Sequence, residues 1–328
     1  MNSLIRRITS TLALLGLAVM LPATVGAQPP VYLLQWGSTG SGNGQFMTPT
    51  GVATNAAGDV YVCDRDNNRI QKFTSSGAYL TQWGTSGAGD GQFYNPYGVA
   101  IDLAGNVYVV DQSNSRIQKF DGNGAYLTQW GSTGSGIGQF LGPFAIATDA
   151  AGDVYVADPG NQRIQKFSGT GTYITQWGSF GSGNGQFYNP FGVATDVLGN
   201  VYVVDEANQR IQKFTSTGAY LTQWGSYGSG DGQFQYPYGV ATDAGANVYV
   251  SDRLNRRIQK FSSTGAYLTQ WGSSGSGDGQ FEFPFGVATD ADDNVYVVDS
   301  DLNRVQKFGH PPTPTRATSW GRLKSLYR

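Results

Sequence analysis

Residues Trp224–Gln270 read WGSYGSGDGQFQYPYGVATDAGANVYVSDRLNRRIQKFSSTGAYLTQ. The Trp-Gly pair that opens this stretch returns at Trp36, Trp83, Trp130, Trp177, Trp224 and Trp271, always 47 residues apart. A fixed period of that size marks a repeat architecture, in which each copy buries its apolar face only by stacking on the next. Within the copy, Gly239–Asp243, Asn247–Asp252, Arg257–Phe261 and Ala266–Trp271 alternate apolar and polar residues or run apolar, and Gly, Asn, Asp and Ser bound them. That pattern predicts four short strands per copy. Joining sequences such as Ser262-Ser263-Thr264-Gly265 are turn-type, and no helical period lies between them. Four antiparallel strands in about 45 residues make one propeller blade, so the expected fold is all-β and six-bladed.

The two ends of the array are complementary. Val31-Tyr32-Leu33-Leu34-Gln35-Trp36 matches a fourth strand (compare Ala78–Trp83) but precedes any first, second or third strand. The sixth copy supplies Gly286–Asp290, Asn294–Asp299 and Arg304–Phe308 and then no fourth strand. Pairing the N-terminal strand into the last blade closes the ring and removes the exposed edges of an open array. Thr318–Gly321 competes for that place, but Pro311, Pro312 and Pro314 lead into it and cannot donate ladder hydrogen bonds. The propeller is therefore placed at 28–308, as a closed monomer.

The motifs resemble those of the NHL-repeat family. Asp158 to Phe167 reads Asp-x-x-Asn-x-Arg-Ile-Gln-Lys-Phe, preceded in each copy by Gly-Gln-Phe-x-x-Pro-x-Gly-Val-Ala and Asn-Val-Tyr-Val or close variants. The resemblance covers Val31 to about Phe308. One position departs from it: the middle of the signature is Asn68, Ser115, Gln162, Gln209 or Arg256, never His. The resemblance implies a six-bladed propeller used as an interaction module. It also brings in single-stranded RNA binding and a histidine-dependent amidating lyase as known uses of the family. Ring-type ubiquitin ligases carry such domains too, but their cysteine-rich and coiled-coil parts have no counterpart here.

Residues 1–27 hold Arg6 and Arg7, an apolar run from Leu12 to Leu21 and a Val25-Gly26-Ala27 ending, the order of a cleaved secretory signal. The run is too short to span a bilayer, and no other segment is apolar for so long. The expected location is periplasmic, cell-surface or extracellular, with no transmembrane segment in the mature chain. Residues 309–328 are a proline-rich linker and a basic tail with Arg316, Arg322, Lys324 and Arg328, resembling the short C-terminal tails of some secreted bacterial proteins. Cys63 is the sole cysteine, so no internal disulfide forms; other blades hold Val, Ala or Ser there, which makes it a small buried filler.

Of the 21 basic residues, two lie in the signal and four in the tail, which leaves 15 against 23 acids and a propeller body near −8. That is the wrong sign for nucleic acid. Twelve of the 15 are the Arg and Lys of the Arg-Ile/Val-Gln-Lys-Phe strand, one pair per blade, expected to tie loops together and to lie across the sheet; only Arg65, Arg253 and Arg256 are left over. His310 is the sole histidine and stands in the linker, so no Ser-His-Asp, Cys-His or histidine-held zinc site is built inside the propeller, and the lyase activity does not carry over. Oxygen-only sites stay open, because other six-bladed propellers hydrolyse lactones around a channel calcium. Repeated acids such as Asp102 and Asp111 read first as loop caps, and Asp290-Ala291-Asp292-Asp293-Asn294 is a calcium-loop fragment without its bidentate Glu.

Strand alternation puts the Phe-x-x-Pro and Asp-x-x-Asn loops on one face of the disc, and these loops vary between blades. The residue after the proline is aromatic at Tyr97, Phe144, Phe191, Tyr238 and Phe285, whereas Thr50 breaks the ring. Such rings either pack blade against blade or hold a ligand at the channel mouth. With Arg65, Arg253 and Glu206 from the Asp-x-x-Asn tips, they form the candidate face for a protein, peptide or glycan. The expected role is a non-catalytic binding scaffold with no cofactor. The alternative is a calcium-assisted hydrolase or lyase in the central channel.

Overall fold

A computed structural model describes residues 28–309; the signal expected at 1–27, and His310, Thr318–Gly321 and the rest of the tail, lie outside the described residues. Blade one comprises Pro49–Thr54, Val60–Asp64, Arg69–Phe73 and Tyr79–Trp83, paired in that order as an antiparallel sheet running outward from the axis. Blades two to five repeat it. Blade six takes Pro284–Thr289, Val295–Asp299 and Arg304–Gly309 from the C-terminal end and Val31–Trp36 from the N-terminal end, so the expected closure is present.

Except in blade three, the innermost strands begin at the proline, two residues earlier than the alternation suggests. Pro237 pairs with Asp252, a bulge follows, and regular pairing resumes at Val240 with Val250. Proline is tolerated because it opens the strand and precedes the bulge. The core lies between blades rather than within them: Tyr108, Val110 and Ile117 of blade two pack against Ile146, Val154, Val156 and Phe167 of blade three. Cys63 is wholly buried in the equivalent layer and burial pushes its thiol pKa up, as suits an inert filler.

Each blade has a buried ionic hub. The Asp64 carboxylate accepts hydrogen bonds from Met47 N, Asn67 Nδ2, Gln71 Nε2 and Arg69 Nε. Arg69 in turn donates to Ser41, Gly42 and Gln45 carbonyls and to Gln82 Oε1. The guanidinium thus holds the glycine-rich loop that crosses from rim to axis, as expected of the repeat-locked arginine. The repeat-locked lysines reach further than expected: Lys119 Nζ lies 5.0 Å above the Tyr108 ring and donates to Gly169 O of the next blade at 2.9 Å. Lys307 does the same to Ser75 O across the closure, at 3.2 Å.

Candidate functional site

On one face, the backbone joins the two variable loop sets. Ser113 N donates to Tyr94 O, Ala207 N to Tyr188 O and Leu254 N to Gln235 O, all at 3.0–3.1 Å. The residue before the proline is left-handed at Thr48, Asn95, Asn189 and Tyr236, with φ between 52° and 61°. Its N–H is received by the signature's middle residue in the preceding blade: Asn303 for Thr48, Asn68 for Asn95, Gln162 for Asn189 and Gln209 for Tyr236. The position where histidine is absent is therefore an interblade acceptor, which an amide side chain serves.

Blade six breaks this rule. The preceding blade offers Arg256, and a guanidinium has no acceptor atom. Arg256 instead lies 3.3 Å from Glu282 Oε2, and Phe283 N donates to Asp299 Oδ1 at 2.9 Å, a bond made one residue earlier in the other blades. Phe283 has no left-handed backbone, and its ring comes 6.1 Å from Phe285 and 6.2 Å from Tyr238.

The five sequence-predicted aromatic residues do meet at the axis, but as a plug rather than an open annulus. Successive ring centroids, from Tyr97 through Phe144, Phe191 and Tyr238 to Phe285, are 4.6, 4.4, 5.0 and 4.9 Å apart. Contacts also cross the axis, with Phe144 5.7 Å from Phe285 and Tyr97 6.0 Å from Phe285. Thr50, the exception, is fully buried and donates to Tyr97 O at 2.9 Å, so blade one contributes no ring to the plug. Arg65 donates to Tyr97 Oη at 3.0 Å and is paired with Asp66 at 2.7 Å. Burial works to raise the Asp66 carboxyl, but hydrogen bonds from Arg65 and Thr48 bring it below the usual carboxylate range. Arg253 stacks its guanidinium 4.5 Å from Tyr238 and 4.6 Å from Phe283, and its buried Nε has no hydrogen-bond partner among the described residues. Glu206, on the adjacent blade, is 6% exposed; burial pushes its carboxyl up, against a 3.4 Å hydrogen bond from Asn189 Nδ2 and the attraction of Arg253.

Two neighbouring positions escaped the sequence reading. Phe180 and Tyr227 stand where the other blades have Thr or Ser, are 66% and 65% exposed, and Phe180 lies 5.2 Å from Tyr188. A blade-by-blade comparison at that column reveals them. On the opposite face, the exposed side chains of Leu103, Val197 and Leu198 project from the turns.

Below the plug, the channel is lined by Val52, Val99, Ile146, Val193, Val240 and Val287 with glycine and threonine. Repeated acids cap loops: Asp102 accepts from Ala104 N, Asn106 N and Tyr108 Oη, and Asp290 accepts from Asp292 N, Asn294 N and Tyr296 Oη. Among the described residues no three His, Cys, Asp or Glu side chains converge. These residues do not fit a calcium ion in the channel, which needs six to eight oxygen ligands.

The NHL repeat family model matches residues 46–73, 93–120 and 187–214, the arcs from the loop Phe to the end of the third strand in blades one, two and four. The chain is a six-bladed propeller that carries NHL repeats. Over 50 residues it is 44% identical to B-box type zinc finger protein ncl-1 of Caenorhabditis elegans and to Protein brain tumor of Drosophila melanogaster. The matched segment is 15% of this chain but only 6% and 5% of those proteins. Among solved structures, this NHL propeller is similar to a streptogramin B lyase (TM-score 0.61, 13% identity, covering 85% of this chain and 97% of that one). It is likewise similar to a gluconolactonase from Xanthomonas campestris (TM-score 0.61, 14% identity, covering 87% and 99%). At these identities the likeness is one of fold.

Proposed function

We propose that this NHL propeller is a non-catalytic binding module, exported by residues 1–27, which takes a protein, peptide or glycan on the face that carries the aromatic plug. One observation carries the reading: the charged and aromatic side chains that differ between blades gather there, around Arg253 with its unpartnered buried Nε. Arg65, Arg253 and Arg256 are set against Asp66, Glu206, Glu282 and Asp301, a near-balanced face that gives a polyanion such as nucleic acid no purchase. The NHL repeats in blades one, two and four support the same reading, through the interaction-module role that the resemblance implies.

The lyase and gluconolactonase neighbours motivate the second reading, a calcium-assisted enzyme in the channel. Valine, glycine and threonine at the channel wall supply neither a general base nor carboxylate ligands, so the binding reading is the better supported. Peptide and glycan arrays with the full chain test it: a hit whose affinity falls at least tenfold in the triple Tyr97→Ala, Phe191→Ala, Tyr238→Ala variant, and is unchanged in Leu198→Ser on the opposite face, is expected. Near-stoichiometric calcium by elemental mass spectrometry, with lactonase activity lost on chelation, would turn the assignment toward the channel.

A further inference from the structure

Two departures from the repeat adjoin one cavity: Thr50 is hydrogen-bonded to Tyr97 of its lining, and Arg256 pairs with Glu282, next to Phe283 of its lining. The cavity has a volume of about 310 Å³, at the lower end of the range for small-molecule sites and so suited to a single ring. Its floor is the plug itself, through Tyr97, Phe144, Tyr238 and Phe285. Phe283 forms one wall, in the position that the missing acceptor at Arg256 gives it. The opposite wall is Thr48 and Arg65, and Ser300 and Asp301 complete the edge. The place that a sixth aromatic residue would fill belongs to Thr50, whose hydroxyl is turned to the Pro96 and Tyr97 carbonyls.

We infer that this cavity is a pocket for one pyranose ring of a neutral glycan, an assignment that rests on the binding-module reading above. An aromatic floor matches the C–H face of a sugar, and a polar edge matches its hydroxyls. A cationic ligand would meet Arg65, and the Tyr238 and Phe283 rings already carry the Arg253 guanidinium. An anionic ligand gains little from Arg65, whose charge Asp66 neutralises at 2.7 Å, and meets the Asp301 carboxylate. A purely apolar side chain would leave Arg65 and Asp301 desolvated without new partners, which is costly. A neutral polyol satisfies donors and acceptors together.

The repeat supplies its own test. Thr50→Phe installs the residue that Phe144, Phe191 and Phe285 provide elsewhere, and Arg256→Gln restores the acceptor that Gln162 and Gln209 provide. Asp301→Ala, at an exposed rim position, covers the case in which Thr50→Phe folds poorly. The full chain is titrated with neutral methyl pyranosides of the gluco, galacto, manno and xylo series and their β-linked oligomers, by saturation-transfer NMR and calorimetry. At least one sugar is expected to bind, with affinity reduced at least tenfold in Thr50→Phe and at least threefold in Arg256→Gln and Asp301→Ala. No sugar binding, or binding indifferent to all three substitutions, overturns the pocket. If a peptide from the array is the ligand, is lost in the triple plug variant and is unaffected by Thr50→Phe, the sugar pocket falls while the binding face stands. If no array ligand responds to the plug variant either, both fall.

Discussion

Arg69 makes five hydrogen bonds, at 2.6–2.9 Å, from a site where its side chain is 8% exposed. Lysine carries the same charge but has three donors on a single nitrogen and cannot reproduce that fork. Arg69→Lys should therefore cost about 3 kcal/mol, the range for breaking a buried pair, and chemical denaturation measures it. The same change at Arg65, half-buried and paired with Asp66 near the surface, should cost under about 1 kcal/mol. Glu206 makes a pH prediction. Its carboxyl is raised above the ordinary 4.5 by burial, so the folded chain holds that proton more tightly than the unfolded chain does. The contribution therefore favours the fold at low pH and is lost as pH rises from 4.5 through the folded value. Glu206→Gln, neutral throughout, should melt about 2 °C above the wild type near pH 8, and the gap should close in acid. Equal melting temperatures across the range would show that the carboxylate is already compensated.

Among the elements, blade three departs most from the pattern. Its first strand is only Ile146–Thr148, where the other blades have six residues from the proline onward. This blade also carries Ala145 in a column otherwise filled by glycine. A Cβ at Gly192 would stand 2.5 Å from Tyr238 O and 2.6 Å from Val204 Cγ2, so a methyl group there needs room that the valine denies. Blade three meets that need with Ala157 in the facing position. Ala157→Val should accordingly cost about 1–3 kcal/mol by overpacking, and adding Ala145→Gly should recover most of it. A double-mutant cycle reads the coupling directly, and additive effects would refute the compensation. This pair shows where the sequence was legible and where it was not. The period, the strands and the closing partner could be read from residues alone, because alternation and turn chemistry are local. Ala145 and Ala157 are 12 apart in sequence, and Arg256 acts on Phe283 in the following blade; their meaning appears only once the blades are side by side. The candidate site was legible as a column of aromatic residues, but whether those rings encircle an opening or close over it depends on rotamers that no column encodes.

For the whole molecule, the decisive contact is the one between its two ends. Val31–Trp36 pairs with Arg304–Gly309; Gln35 Oε1 accepts from Arg304 at 2.6 Å, and Trp36 lies against Phe73 of blade one and Tyr296 of blade six. Asn303 accepts from Thr48 N, so the closure is tied on the face that carries the aromatic plug as well as within the sheet. Without the N-terminal strand, Arg304–Gly309 becomes an open edge of unpaired backbone groups, which templates pairing with another chain. Deleting residues 28–36 should thus lower the melting temperature by more than about 10 °C, given how many kcal/mol of packing and pairing are lost together. It should also shift sedimentation toward larger species than the intact chain forms, and a synthetic peptide of residues 28–36 added in trans should reverse both effects. The deletion is best made twice, in the full chain and in a chain ending at Gly309. If Thr318–Gly321 can take the vacant place, the full-length deletion sediments like the intact chain while the shortened one associates. If both associate, the ring has one closing strand, and the N-terminus supplies it.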